Sequence, residues 1–174
     1  MRIAVFLAYL ATIPLANWLI GNVGTFCIPN GPCLIPVGFG LSAPSGVLMI
    51  GAALVLRDAV QQLLGIRWAF AAITAGVMLS ILVAPPALVL ASAVAFGIAE
   101  LLDLAVYTPL RKRHLPLAVL ASGVVGAVAD SAAFLWLAFG SLEFMGGQLL
   151  GKVWMTVIAA AFLWTWHNNK AANV

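Results

Sequence analysis

The sequence predicts an all-α polytopic membrane protein, a six-transmembrane-helix bundle with both termini cytoplasmic. Three observations lead there. Charged residues fill only 7% of the 174 positions and apolar residues 64%, with a mean hydropathy of +1.14; a soluble domain carries about 25% charged residues. The apolar residues gather into six continuous Ala- and Leu-rich windows, each near the ~20 residues that cross a hydrocarbon core. Lys and Arg fall on alternate connections, as an even number of spans requires when basic loops stay inside. A membrane β-barrel would instead alternate in hydrophobicity over strands of ~10 residues. No soluble domain fits between the windows, so residues 1–174 read as a single transmembrane domain.

The first span is placed at Ile3–Ile20. Pro14 to Trp18 makes a poor signal-cleavage site, and the span is expected to be retained. Ala4, Ala8, Thr12 and Ala16 recur every four positions. Such a small-residue stripe lets another helix approach closely, within the bundle, on a partner protein or on a second copy in a homo-oligomer. The segment "GTFCIPNGPCLIPVGFGLSAPSG" follows. It is rich in Gly and Pro yet apolar, which suits either a plain external loop or one folded back into the protein mouth. Cys27 and Cys33 lie in it, as a disulfide if the compartment is oxidising or as two free thiols. No His is close enough in sequence to suggest a metal site there.

The second span, Gly46–Leu64, carries Arg57, Asp58 and Gln61; Arg67 marks the turn into the third, Trp68–Ala84, which ends at Pro85-Pro86. The fourth, Ala87–Tyr107, carries Glu100 and Asp103 and runs into the basic cluster Arg111-Lys112-Arg113. The fifth, Pro116–Phe139, has Gly123, Gly126 and Ala127 for close packing, then Asp130 and Ser131. The sixth, Leu149–Trp166, has Lys152 near its outer end. Arg2, Arg67, the basic cluster and Lys170 then share one side, taken as cytoplasmic. The opposite connections contain no Lys or Arg. Trp18, Trp68, Trp154, Trp164 and Trp166 fall near span ends, as interfacial aromatics do.

The intramembrane charges carry the functional argument. Each central Asp, Lys or Arg costs ~2.5–3.5 kcal/mol to insert, so such groups pair inside the bundle or line a polar cavity. Glu100 and Asp103, three apart, share a helix face. Arg57 is the central cation, and a fork-shaped guanidinium on a carboxylate of span four or five is the expected partnership. Asp58 sits beside Arg57 and is expected to point elsewhere. Four acids against Arg57, with Lys152 at the rim, leave a carboxylate excess. That excess must be protonated, hydrated or matched by an arriving solute.

Two other patterns fall away. "GGQLLGKV" fits the phosphate-loop spacing at Gly146, Gly151 and Lys152, but Val153 stands where Ser or Thr is needed and no strand precedes it. Asp103 and Asp130 lie more than ~10 Å apart in estimated depth, too far to share a proton as a protease dyad must. His114 and His167 sit at the cytoplasmic border. No enzyme, cofactor, metal ion or nucleic-acid partner is expected.

"LVLRDAVQQLLG", "AELLDLAVYTPLRKR" and "LASGVVGAVADSAAFLWLAFG", in that order on spans two, four and five, resemble the queuosine precursor transporter family, also called the vitamin uptake transporter (VUT) family. The resemblance covers roughly Asn17 to Thr156. It implies a bacterial inner-membrane importer of 7-deazaguanine queuosine precursors. It also implies a fold related to the substrate-binding subunits of energy-coupling-factor transporters. The matching positions are Arg57, Asp58, Gln61, Glu100, Asp103, Gly126, Asp130 and Ser131, with Gly151 and Lys152 less close. The chemistry agrees. A guanine-like edge presents adjacent N–H donors to a carboxylate, and a ring carbonyl accepts from Arg or Gln. Phe134, Trp136 and Trp154 are candidates to stack on a flat ring.

The expectation is therefore an importer of a small planar nucleobase-like solute. Glu100, Asp130 and Arg57 would line one central site, with Asp103 at the cytoplasmic exit. Two alternatives stand beside it. One is a vitamin-type substrate-binding subunit that needs a separate ATP-driven module, docked through the span-one stripe. The other is a structural membrane protein whose charges pair internally.

Overall fold

The structure is a computed structural model. It describes residues 2–29 and 31–171, with side chains except those of 116 and 159–171. The chain forms six long helices: α1 (Arg2–Asn22), α2 (Val47–Leu64), α3 (Ile66–Val83), α4 (Val89–Leu110), α5 (Leu115–Phe139) and α6 (Met145–Ala171). Five stretches, Arg2–Asn22, Val47–Leu64, Ile66–Val83, Pro86–Leu110 and Leu117–Phe139, are long and apolar enough to cross a membrane. This is a polytopic membrane protein. Large apolar side chains such as Leu82, Leu90 and Leu120 face outward, as a bilayer solvent permits.

The helix ends follow local chemistry. Gly65, at φ 93°, closes α2 and opens α3 in a single residue, a conformation that costs glycine little. Pro85 and Pro86 end the third helix, and a short 3-10 turn over 86–88 leads into α4. Gly140, in the left-handed region, caps α5. These short connections alternate between the two ends of the bundle. Arg67 and the 111–113 cluster fall at one end, and Pro85-Pro86 lies beside Gly21 at the other. Trp18 and Trp68 are about half exposed at opposite ends. Trp164, Trp166, His167 and Lys170 lie outside the described side chains.

The all-α expectation needs one correction. The segment after α1 folds into a three-stranded antiparallel sheet: β1 (Phe26–Cys27), β2 (Cys33–Gly38) and β3 (Leu41–Pro44), in the order β1-β2-β3. An apolar loop over a membrane protein must pair its own backbone groups, and a meander does so. Cys27 lies opposite Cys33 in the ladder and the two form a disulfide. Ala43 and Pro44 are buried, and Ser45 donates to the Leu19 carbonyl oxygen at 2.7 Å, which ties the sheet to the end of α1. Its other seat is α6. The Trp154 indole N–H donates to the Val37 carbonyl oxygen at 3.2 Å. Gly147 lies so close to β3 that an added Cβ would overlap the Ser42 carbonyl oxygen. Gly147→Ala is expected to lower stability by about 1–3 kcal/mol, read as a lower melting temperature in detergent with faster proteolysis of the 23–45 segment.

The span-one stripe divides. Thr12 and Ala16 are buried against the bundle, while Ala4 and Ala8 are exposed. Four residues along a straight helix drift round its axis, and α1 also contains Pro14, so the stripe is not one docking face. Gly126 on α5 does serve close packing, with Leu54 and Asp103 within 3.1 Å of where its Cβ would stand; Gly123 has open space.

Candidate functional site

The charges expected around one site divide into two buried networks. The first is centred on Arg57, which is fully buried on α2. Its Nε donates to Glu100 Oε2 at 3.2 Å and its Nη1 to Gln61 Oε1 at 3.1 Å, the latter one turn along the same helix. Nη2 pairs with Asp103 Oδ1. Glu100 and Asp103, three apart on α4, do share the face that meets α2. Gln61 passes the network on to Thr108 at 3.0 Å, and Arg111 Nη1 donates to the Gln61 carbonyl oxygen at 3.0 Å. The Tyr107 ring lies 5.4 Å from the Arg57 guanidinium carbon, within cation–π range.

One expectation fails here. Asp58 Oδ1 lies 2.9 Å from Arg57 Nη1. Backbone direction separates neighbouring residues on a helix, but the long arginine stem bends back over its own turn and erases that separation. Three carboxyls thus meet one guanidinium.

The second network corrects the placing of Lys152 at the rim. Helix α6 begins at Met145, so Lys152 sits about 10 Å inside it and is 1% exposed. Its ammonium donates to Asp130 Oδ2 at 2.6 Å, to Ser131 Oγ, and to the Ala127 carbonyl oxygen at 3.3 Å. Three donors meet three acceptors, so the charge is fully satisfied. Gly51 on α2 makes this possible, because the α6 backbone at Lys152 passes where its Cβ would be.

A hollow opens above this second network, under the sheet. It is a narrow cavity of about 50 Å³, open at its mouth. Asp130 is the one charged residue in its wall; Asn17, Ser80, Ser92 and Gln148 supply the other polar groups, and Phe96 and Phe134 supply rings. Arg57, Asp58, Gln61, Glu100, Asp103, Ser131 and Lys152 do not line it. Ser131 and Lys152 reach it only through Asp130. Of the stacking candidates, Phe134 lines the hollow, whereas Trp136 and Trp154 face outward, 63% and 49% exposed. Asn17, Ser80, Ser92 and Gln148 carry no charge and are not among the residues expected from the sequence. Their signal was present: uncharged polar side chains within apolar runs.

The helices that carry both networks also carry the comparison. Residues 80–167, just over half the chain, match the family described as "putative vitamin uptake transporter". The chain belongs to this family. The match spans α4, α5 and most of α6, and so includes Glu100, Asp103, Asp130 and Lys152. The vitamin uptake transporter family is one of membrane transporters, not of enzymes. No curated protein and no solved structure matches the chain.

Proposed function

We propose that this member of the family is a bacterial inner-membrane importer of a small planar nucleobase-like solute. The substrate class we favour is the 7-deazaguanine precursors of queuosine. The observation that carries the reading is the hollow: an oriented carboxylate, Asp130, stands in a wall that also holds two amides, two serines and two phenyl rings. A carboxylate can accept two adjacent N–H groups of a guanine-like edge. The Gln148 amide can serve a ring carbonyl, and Phe96 and Phe134 offer flat apolar surface. The basic connections at the α2–α3 and α4–α5 turns support an orientation with the sheet outside and both termini in the cytoplasm. In this reading α6 is the sixth span, residues 1–174 form one transmembrane unit, and the relation to energy-coupling-factor subunits is part of the proposal.

The test is complementation in cells that can neither make nor import queuosine precursors. Each 7-deazaguanine is supplied in turn and queuosine is assayed in tRNA. Restoration by at least one precursor is the expected result; none, with the protein verified in the membrane, rejects the substrate. Gln148→Leu is expected to raise KM about two- to tenfold with little change in kcat, the loss of one neutral hydrogen bond. The internal pairing around Arg57 favours a second reading of that cluster, as a structural clamp. Unaltered uptake in Glu100→Gln would support it.

A further inference from the structure

The Arg57 network is oversupplied with acid. Asp58, Glu100 and Asp103 all lie within ion-pair distance of a single guanidinium. The elements packed around it add few countercharges. Helix α1 contributes the Tyr9 hydroxyl beside Glu100, α2 contributes Gln61, α4 contributes Tyr107 and, just past its end, Arg111, and α5 contributes Ser122. Arg111 is only half buried, at the end of the bundle, and its Nη1 is engaged by the Gln61 carbonyl oxygen. The charged residue of α3, Arg67, is exposed, and α6's Lys152 is committed to Asp130. Even with Arg111 counted, negative charge exceeds positive in a space shut off from water.

The three acids are not equivalent. Glu100 accepts a well-formed hydrogen bond from Arg57 Nε. Asp58 Oδ1 and Asp103 Oδ1 touch guanidinium nitrogens without a well-formed hydrogen bond, and Asp103 Oδ2 is buried with no partner at all. The Tyr9 hydroxyl, fully buried beside Glu100, is also unpartnered. Such unsatisfied atoms at the heart of a bundle signal something that the heavy atoms do not display. A metal ion is a poor fit. The guanidinium already occupies the centre, Gly126 packs against Asp103 with 3.3 Å between the position of its Cβ and Oδ2, and no metal-binding group of three or more His, Cys, Asp or Glu exists among the described residues. A proton needs no volume.

We propose that Asp58 and Asp103 form a proton-binding pair in the middle of the bundle, loaded at neutral pH, with Glu100 as the ionised partner of Arg57. The pair lies beneath the hollow. Phe96, in the hollow wall, is one turn from Glu100, and Ile13, also in the wall, is one turn from Tyr9. Arg111 and its turn lie at the far end. A proton held there is placed to leave towards the cytoplasm when that end opens, which would make solute import proton-linked. That consequence rests on the importer reading; the proton site itself does not.

The experiment is infrared spectroscopy of the full chain in lipid vesicles, without solute, so a wrong substrate leaves it standing. The carbonyl stretch of protonated carboxyls is followed against pH and after exchange into heavy water. The expected result is a band at neutral pH that shifts in heavy water and disappears at alkaline pH. Asp58→Asn and Asp103→Asn should each remove about half of it. Asn mimics a protonated Asp in shape and charge, and the unsubstituted protein alone decides the main point. No protonated band at neutral pH would overturn the proposal. So would a band that neither exchanges nor titrates, or one that survives in both Asn variants.

Discussion

Arg57→Ala should be the most damaging single substitution in the chain. It leaves an ionised carboxylate buried among α1, α2 and α4 with no countercharge, and breaking a buried pair from one side costs about 3–5 kcal/mol. The variant is expected to express poorly and to melt far below the parent in detergent. Adding Glu100→Gln should restore much of the loss, because Glu100 is the carboxyl that accepts the Arg57 Nε hydrogen bond. Adding Asp58→Asn should restore less. A melting curve unchanged by Arg57→Ala would mean that the network does not hold the three helices together.

Lys152→Ala is expected to follow closely. The ammonium is the shared partner of Asp130, Ser131 and the Ala127 carbonyl oxygen. Its removal strands a buried carboxylate, again at a cost of about 3 kcal/mol or more. The double variant Lys152→Ala/Asp130→Asn should recover part of the stability, with a coupling of about 1–3 kcal/mol in the cycle. Uptake should separate from stability here. Both the single and the double variant are expected to lose at least about tenfold in uptake, since neither presents an oriented carboxylate to the hollow. Full uptake by the double variant would remove Asp130 from the substrate site.

Much of this architecture was legible in the residues. The expected span over Gly46–Leu64 and the observed α2 over Val47–Leu64 differ by one residue, because Gly and Ser punctuate its start and Gly65 its end. The pairing of Arg57 with span four was legible too, since i,i+3 spacing put Glu100 and Asp103 on one face. Depth was not. The apolar window begins close to Lys152, but the helix begins earlier, through "MGGQ", whose hydropathy does not advertise a buried turn. The sheet was also hidden. "CLIPVG" neither alternates cleanly nor lacks proline, and its pairing depends on seats on α1 and α6 that no local pattern encodes. A hollow is expected from the charges, but its wall was not legible, because it draws single polar residues from five helices, each unremarkable alone.

The sheet's seat on α6 has a consequence for how the protein is made. The ribosome delivers residues 26–44 early, but Gly147 and Trp154, on which β2 and β3 rest, emerge more than a hundred residues later. Until then the nascent meander can knit its own strands and its Cys27–Cys33 link, yet it has no floor. Assembly of this cover is therefore the closing act of biogenesis, and a ribosome stalled before α6 would release a chain with its hollow unroofed.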